Sequence, residues 1–414
     1  MVVLGTSRWW GEACRCSSLC STTPIGGSQP RRGVGSALGT ARRLEVATRS
    51  TVRCLRASSR SAPDCSSLAE GGPLVRAVTI VSARRDPSNV LVETASVSAP
   101  YDAVEPYDTG LLEVGDGHAI YWETVGDPGG TPAVYLHGGP GSGATEFARR
   151  YFDPAACRSV LFDQRGCGRS RPLADGPDAD LAHNSTDHLI ADLERLRAHL
   201  RIDRWVVVGI SWGVTLGLAY AQRHPDRVRA MVLAAVTTGS RREVSWMTRD
   251  MGRVFPAEHE QFTAPVPPDQ RQGDLSAAYA RLLRDPDPVV RQRAAAAWCV
   301  WEDVHVSLAP GFQPSPRYAD PVFAERFARL VTHYWSHHHF LPDGELIAEM
   351  SRLAGIPATL IHGRHDISGP LDTAFAVHHA WPDSELVVLD DAGHGGIGFP
   401  DALTTATDRY RHTP

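Results

Sequence analysis

The chain has 414 residues, enough for one large domain with an insertion or for two domains, and its 42% hydrophobic and 21% charged residues are ordinary for a globular protein. No run of 18 apolar residues occurs, so no transmembrane helix is expected, and the net charge of −5 argues against a nucleic-acid-binding surface. The eight cysteines show no paired metal-binding spacing, which argues against a cysteine metal site. We expect neither a metal nor a cofactor.

The first 97 residues show no sustained helical or strand period. Residues 1–85 carry 13 arginines and 4 acidic residues, a net charge of +9. No apolar segment follows the basic start, so the segment is not a secretory signal. We interpret residues 1–97 as a disordered or spurious extension, translated from a start codon placed too early, in preference to an organellar transit peptide. We expect the protein to be cytoplasmic.

Strand and helix patterns begin near Tyr107 and alternate. Asp116-Gly117 separates two alternating runs and predicts a type I′ hairpin turn. Leucines on one face predict a helix over 189–200. Short apolar runs predict strands at 133–136, 159–162, 205–208, 228–236, 358–361 and 386–389. Continuous apolar strands between amphipathic helices indicate a mostly parallel sheet that is covered on both faces, an α/β fold.

The alternation of strands and helices stops between the predicted strands at 228–236 and 358–361. The segment 241–354, which lies between them, has helical patterns. Asp320-Pro321 predicts a helix start, with a buried stripe over 323–334. A helical insertion inside such a sheet is expected to cap an active site. We therefore divide the chain after the extension into a first core segment 98–240, a helical cap 241–354 and a second core segment 355–414.

The strongest chemical signal is Ser211 in a Gly-Ile-Ser-Trp-Gly segment at 209–213. A predicted strand precedes it and a helix with small residues follows it, which is the context of a nucleophile elbow. A structural serine in a glycine turn is the alternative for this pattern alone. The flanking elements and the motifs that follow in the chain favour Ser211 as a nucleophile, in an α/β-hydrolase fold.

A His-Gly-Gly-Pro-Gly loop at 137–141 follows the strand that ends at Leu136. We expect it to form an oxyanion hole, with N–H groups from Gly138 or Gly139 and from Trp212, which follows the nucleophile. Phosphate binding is the alternative for a glycine-rich loop, but a P-loop needs a lysine and this chain has none.

Asp366 and His394 complete the predicted catalytic set as acid and general base. Both follow predicted strands, and the order Ser, Asp, His is the one this fold requires. Chain order and strand-end position select them over four neighbours, Asp390, Asp391, His362 and His365.

Together these motifs resemble the proline iminopeptidase (prolyl aminopeptidase) family. The resemblance covers Glu105 to Arg411 and is carried by EPYDTG at 105–110, HGGPG at 137–141, DQRGCGRS at 163–170 and GISWG at 209–213, which is close to the family's GGSWG. The pairs Trp301-Glu302 and His333-Tyr334 also have family counterparts.

The resemblance implies a metal-free serine exopeptidase that releases an N-terminal proline from peptides. Ser211 would attack the prolyl carbonyl, His394 would take its proton and Asp366 would orient the imidazole. Glu302 matches a cap glutamate that binds the free amino terminus. Trp298 and Trp301 share its helical face, so we expect the two indoles to be apolar walls for the proline ring.

The sequence also departs from the family pattern. Val331 stands where a second cap glutamate is expected, and Gly369-Pro370 stands where the family commonly has cysteine before proline. Three histidines at 337–339 follow the altered helix, and we interpret them as a polar helix end rather than as pocket lining.

These departures leave two other functions open. One is a hydrolase of the same fold that acts on a small ester, amide or other acyl compound, and the other is a binding module without activity. Dehalogenases and epoxide hydrolases are disfavoured because the elbow carries a serine. The expected partner is a peptide or small molecule with a free N-terminal proline, without nucleic acid or membrane; the sequence does not indicate an oligomeric state.

Overall fold

The computed structural model describes residues 79–81, 99–306, 308 and 313–412. Its strands form one sheet in the spatial order β1-β9-β8-β7-β6-β4-β5-β3-β2. The strands are β1 (Thr79–Val81), β2 (Asp108–Gly115), β3 (His118–Gly126), β4 (Thr131–Leu136), β5 (Cys157–Phe162), β6 (Trp205–Ile210), β7 (Val228–Ala234), β8 (Ala358–Gly363) and β9 (Ser384–Leu389).

The predicted hairpin at the start of the described core is confirmed. β2 and β3 pair antiparallel, and Asp116 and Gly117 both have positive φ, 56° and 74°, as a type I′ turn requires. β3 then pairs antiparallel with β5. From β5 through β4, β6, β7 and β8 to β9 every neighbouring pair is parallel.

Both faces of the parallel strands are buried, because side chains alternate between two separate cores. Trp205 and Val207 of β6 belong to one core, while Val206 and Val208 belong to the other. This explains why the strands are continuous apolar runs rather than alternating ones. The predicted α/β-hydrolase fold, a mostly parallel sheet flanked by helices, is confirmed.

Ten α-helices are described. They are α1 (Thr186–His199), α2 (Trp212–Arg223), α3 (Arg241–Thr248), α4 (Pro256–Thr263), α5 (Leu275–Leu282), α6 (Pro288–His305), α7 (Pro321–Ser336), α8 (Glu345–Ala348), α9 (Leu371–Ala380) and α10 (Phe399–Tyr410). Residues of α1, α2 and α9 pack in the first core, and residues of α10 pack in the second. None of the described helices is long and apolar enough to cross a membrane.

The helices α3 to α8 all lie between β7 and β8, in the segment for which the sequence predicts a cap. A capping box of Ser240 and Glu243 starts the segment. The Asp320 side chain accepts the N–H of Val322 at 2.9 Å and caps α7, as the Asp-Pro pair predicts. In α6 and α7, apolar residues pack in the first core together with the sheet, so the cap and the sheet share a core.

One described strand lies where the sequence predicts no element. This strand is β1, at 79–81, which lies inside the segment 1–97 and pairs antiparallel with β9. Three residues are too few to show a hydrophobic period, and the pairing uses backbone groups that β9 presents at the sheet edge. The rest of the extension, 1–78 and 82–97, lies outside the described residues, so its interpretation stays a prediction.

Candidate active site

Ser211 occupies a sharp turn between β6 and α2. Its φ of 58° and ψ of −123° are rare for a residue with a side chain, and its N–H donates to the carbonyl of Ala234 at 2.9 Å. A Cβ on Gly209 would lie 2.4 Å from the carbonyl oxygen of Gly213, and one on Gly213 would lie 2.0 Å from that of Leu136. Strand, turn and helix therefore approach so closely that both glycines of the motif are required.

Hydrogen bonds join Ser211, His394 and Asp366 in a line. Nε2 of His394 lies 2.8 Å from Oγ of Ser211, and Nδ1 lies 2.8 Å from Oδ2 of Asp366. The other carboxylate oxygen accepts the N–H of Gly369 at 2.9 Å. Because the carboxylate accepts from Nδ1–H, Nε2 is left free to accept the serine proton. The three residues follow β6, β9 and β8, at the carboxyl ends where sheets of this type place their sites.

The electrostatics of the pair suit a base and its orienting acid. Burial alone would raise the pKa of Asp366, but the charge and hydrogen bond of His394 hold that pKa below its ordinary value. Burial opposes the charged form of His394 as well, and Asp366 overcomes this and raises the pKa of the imidazole. The carboxylate is thus ionised, and it stabilises the imidazolium that forms when the serine gives up its proton.

Among the described residues, His394 is hydrogen-bonded to Oγ of Ser211, and none of the alternatives Asp390, Asp391, His362 and His365 is. Asp390 pairs with Arg364 at 2.6 Å on the surface. His362 is fully buried: its Nδ1 accepts the N–H of Val236 at 3.0 Å, and its Nε2 donates to the carbonyl of Gly369 at 2.6 Å. His362 thus holds the loop that carries Asp366, a contact that sequence reasoning missed.

The predicted oxyanion donors lie beside Ser211. Gly139 and Trp212 line the same cavity as the serine, and among the described residues neither backbone N–H donates to a protein acceptor. A Cβ on Gly138 would lie 3.2 Å from Cβ of Ser211, so the loop backbone passes close to the nucleophile. Trp212 is the first residue of α2, where the helix dipole favours negative charge.

Gln164 links the two donor segments, which sequence reasoning did not foresee. Its backbone N–H donates to Nε2 of His137 at 3.1 Å, and its side-chain amide donates to the carbonyl of His137 at 3.0 Å. Its Oε1 accepts the indole N–H of Trp212 at 2.9 Å. The DQRG motif at 163–166 contains Gln164 and was the sequence feature that could have indicated this role.

The serine opens into a cavity of about 60 Å³, several times the 10–15 Å³ that one water needs. Its walls come from the core loops and from the cap. The lining residues are Gly139, Ser211, Trp212, Thr215, Thr237, Gly239, Met247, Glu302, His305, Val306, Trp335, His339, Ser368, Gly369 and His394.

Glu302 lines this cavity, but the two indoles predicted beside it do not. Trp298 and Trp301 are only 1% and 2% exposed and pack against Phe262 in the cap. The expectation that they wall the cavity is therefore wrong, because both rings are covered by aromatic side chains of the cap, although Glu302 on the same helical face reaches the cavity. The indole N–H of Trp298 instead donates to Oε1 of Glu302 at 2.9 Å. Apolar cavity walls come from Met247, Val306 and Trp335.

Burial of the Glu302 carboxyl raises its pKa to about 7, an effect that the Trp298 hydrogen bond and the nearby His394 partly offset. It is the one carboxylate among the described lining residues. An ionised Glu302 is therefore a buried anion that a cationic ligand would stabilise.

Two further sequence interpretations concern α7 and the turn after it. His339, interpreted as part of a polar helix end, instead lines the cavity, and its Nδ1 donates to the carbonyl of Gly239 at 2.9 Å. The tight turn gives it a φ of 56° and stacks its ring on Trp212, 5.3 Å between centroids. Val331 is fully buried and is not among the lining residues.

One group of described residues has metal-ligand atoms close together: Asp116, His183 and His188, all within 4.8 Å of one another. It lies at the β2–β3 turn, in the loop before α1 and in the first turn of α1, outside the cavity. Arg165 already donates to Oδ2 of Asp116 at 3.3 Å, so a cation holds that carboxylate and we assign no metal to the group.

Comparisons with known proteins agree with the α/β-hydrolase fold. The model of the alpha/beta hydrolase fold family matches residues 131–399. A probable proline iminopeptidase of Streptomyces coelicolor is 55% identical over 315 residues, covering 75% of this chain and 97% of that protein. A proline iminopeptidase of Arabidopsis thaliana is 40% identical over 315 residues, covering 75% of this chain and 82% of that protein. The crystal structure of a Mycobacterium smegmatis proline iminopeptidase matches with a TM-score of 0.53 at 23% identity, covering 74% of this chain and 98% of that one, which supports the fold.

Proposed function

This chain belongs to the proline iminopeptidase family of α/β-hydrolases, and we propose that it releases N-terminal proline from peptides through an acyl-enzyme on Ser211. The observation that carries the proposal is the hydrogen-bonded line of Ser211, His394 and Asp366 at a cavity that also contains the partly buried carboxylate of Glu302. A nucleophile beside an anionic pocket suits an acyl substrate that carries a positive charge near its scissile bond.

In the proposed reaction, Oγ of Ser211 attacks the prolyl carbonyl carbon while Nε2 of His394 takes the serine proton. The oxyanion accepts hydrogen bonds from the N–H groups of Trp212 and of Gly139 or Gly138. His394 then gives the proton to the leaving amine and the C–N bond breaks. His394 then takes a proton from a water, whose oxygen attacks the prolyl ester, and returns that proton to Oγ of Ser211 as the ester bond breaks and proline leaves.

Glu302 takes the role of amine anchor in this proposal. Once ionised it pairs with the prolyl ammonium, while Met247, Val306 and Trp335 supply apolar contacts for the ring. An exopeptidase needs such an anchor because an internal proline has no ammonium group. The cytoplasmic location stays a prediction from the sequence.

A fluorophosphonate probe and a panel of chromogenic substrates test the proposal. We expect the probe to label Ser211, and the enzyme to cleave prolyl-p-nitroanilide faster than the alanyl compound and not the N-acetylprolyl compound. Ser211→Ala should abolish labelling and lower kcat by about 10⁶-fold. Because alanine has nearly the same backbone constraints as serine, its circular dichroism should match the wild type.

Ester hydrolysis without cleavage of any free-amine substrate would contradict the iminopeptidase activity and favour the small-acyl alternative. Activity of Ser211→Ala above a few per cent of the wild type would remove Ser211 from the nucleophile role.

A further inference from the structure

His305 is a cavity residue that neither the sequence motifs nor the family resemblance singles out. It ends α6, one turn after Glu302, and is only 2% exposed. The helix end that carries it is tied to both loops of the catalytic line: His394 donates its backbone N–H to the carbonyl of Val306 at 3.0 Å, and Oγ of Ser368 donates to the carbonyl of His305 at 2.8 Å. His305 and Glu302 are therefore held in register with Ser211.

Hydrogen bonds select the neutral tautomer of His305. Because the hydroxyl of Ser368 uses its proton on the His305 carbonyl, its oxygen accepts from Nδ1–H of the ring, 2.9 Å away. Nε2 then carries a lone pair and no proton. Burial lowers the pKa of His305 to about 3, so the ring stays neutral at the pH where Glu302 is ionised.

The spacing between His305 and Glu302 fits a shared donor. Nε2 of His305 lies 3.9 Å from Oε2 of Glu302, too far for a direct hydrogen bond. For a nitrogen about 2.8 Å from both atoms, the angle Oε2–N–Nε2 would be about 90°. This is close enough to the tetrahedral angle for two bent hydrogen bonds. The gap therefore accommodates one nitrogen that donates twice.

We propose that Glu302 and His305 form a two-acceptor site for the secondary ammonium group of an N-terminal proline. This inference rests on the proposed function and adds a specificity-determining residue to it. His305 supplies, from the same helix as Glu302, the second acceptor that Val331 on α7 does not provide.

The number of hydrogen-bond acceptors in this site matches the number of N–H donors on a prolyl ammonium group. A prolyl ammonium has two N–H groups and the site has two acceptors, whereas a primary ammonium brings a third N–H for which this pair offers nothing. An unsatisfied buried donor costs binding free energy, so the pair favours proline over other N-terminal residues.

The test compares His305→Leu, which keeps bulk but removes the acceptor, with His305→Gln, whose Oε1 restores one near the position of Nε2. His305→Leu should lower kcat/KM for prolyl-p-nitroanilide about 10- to 100-fold, as for loss of a hydrogen bond to a charged group. It should leave hydrolysis of p-nitrophenyl acetate, which has no amine, within about 3-fold. His305→Gln should recover most of the prolyl activity.

His333→Leu is the matched control. His333 is also a buried cap histidine with a pKa lowered by burial, to about 4, but it donates to the carbonyl of Asn184 and does not line the cavity. We expect this variant to leave the ratio of prolyl to ester activity unchanged. Equal losses on both substrates in His305→Leu would overturn the role of His305 while leaving the proposed function intact.

Inhibition of ester hydrolysis by prolinamide tests the site independently of peptidase activity. Prolinamide should inhibit the wild type more strongly than alaninamide and N-acetylprolinamide, and about 10- to 100-fold more strongly than it inhibits His305→Leu. If the wild type cleaves no prolyl substrate but this pattern holds, the proposed function fails and the two-acceptor site stands. Equal inhibition of wild type and His305→Leu overturns the site.

Discussion

The reacting and binding residues of this site are each held in position by a neighbouring residue. Ser211 keeps a φ of 58° that costs conformational energy, and the turn is held by its bond to Ala234 and by the approach of α2 to β4. Asp366 is oriented by Gly369, and Glu302 by the indole of Trp298. Each reacting or binding group thus has a second contact that fixes its position.

The acid assignment is testable with a matched pair of variants. Asp366→Asn should reduce kcat by about 10⁴-fold, because an amide no longer favours the histidine tautomer that accepts the serine proton. Asp390→Asn, a carboxylate of similar loop position that instead pairs with Arg364, should leave kcat within about 2-fold. Steady-state kinetics measures both, and the reverse result would assign the acid to Asp390.

The pH profile should separate amine binding from catalysis. His394 must be neutral and has a raised pKa, and Glu302 must be ionised and has a pKa of about 7, so both requirements fail as the pH falls. As the pH falls below 6.5, under both pKa values, kcat/KM for a prolyl substrate should therefore fall with a slope that approaches two on a logarithmic plot, and for a neutral ester with a slope of one. The groups that face the Glu302 carboxyl include Trp298, Cys299, Asp303, His305, Tyr318 and His394.

Glu302→Gln tests that interpretation. It should reduce the slope for the prolyl substrate to one and lower its kcat/KM at pH 8 by about 10²-fold or more, because breaking a desolvated ion pair typically costs 3–5 kcal/mol. The ester should be nearly unaffected. Equal effects on both substrates would remove Glu302 from amine recognition.

Whole elements meet at the oxyanion hole, where the loop after β4 has to align with the start of α2. Gln164, in the loop after β5, contacts both segments through His137 and Trp212. The order of strands in the sheet makes this possible, because β4 lies between β5 and β6 and all three end at the same edge. Alignment of the two donors is therefore a property of three adjacent strands.

Gln164→Ala should lower kcat for any substrate by about 10- to 100-fold with little change in KM, because oxyanion contacts form in the transition state. Gln222→Ala is the matched control: Gln222 is also buried and donates to a backbone carbonyl, that of Leu346 at 2.7 Å, but it does not line the cavity. Similar losses in both variants would indicate general destabilisation instead of donor misalignment.

At the scale of the whole molecule, the cap and the loops that follow the sheet strands both contribute residues to one site. The core loops supply Ser211, Asp366 and His394, and α6 of the cap supplies Glu302 and His305. Of the segment before residue 98, β1 is the described part, and it pairs with β9, away from the cavity.

Deletion of residues 1–97 should therefore leave a folded, active enzyme with unchanged kcat/KM for the prolyl substrate. Deletion of residues 1–71, which keeps β1, is the comparison. The Tm values of the two deletion variants should differ by at most a few degrees, which in a domain this large corresponds to about 1 kcal/mol in the free energy of unfolding. Aggregation or loss of activity in the longer deletion alone would mean that β1 is required for folding.

The sequence by itself determined the strands from β2 to β9, the elbow, the loop at 137–141 and the order Ser211, Asp366, His394, because these depend on local periodicity, on close backbone contacts that only glycine tolerates, and on strand ends. Tertiary structure alone decided which cap side chains face the cavity. Trp298, Trp301, Glu302 and His305 lie within two turns of one helix, and periodicity relates them to each other but not to the sheet. Cap packing covers the indoles of this face with Phe262 of α4 and leaves Glu302 and His305 in the cavity, because contacts between segments distant in the chain decide which neighbour each part of the face meets.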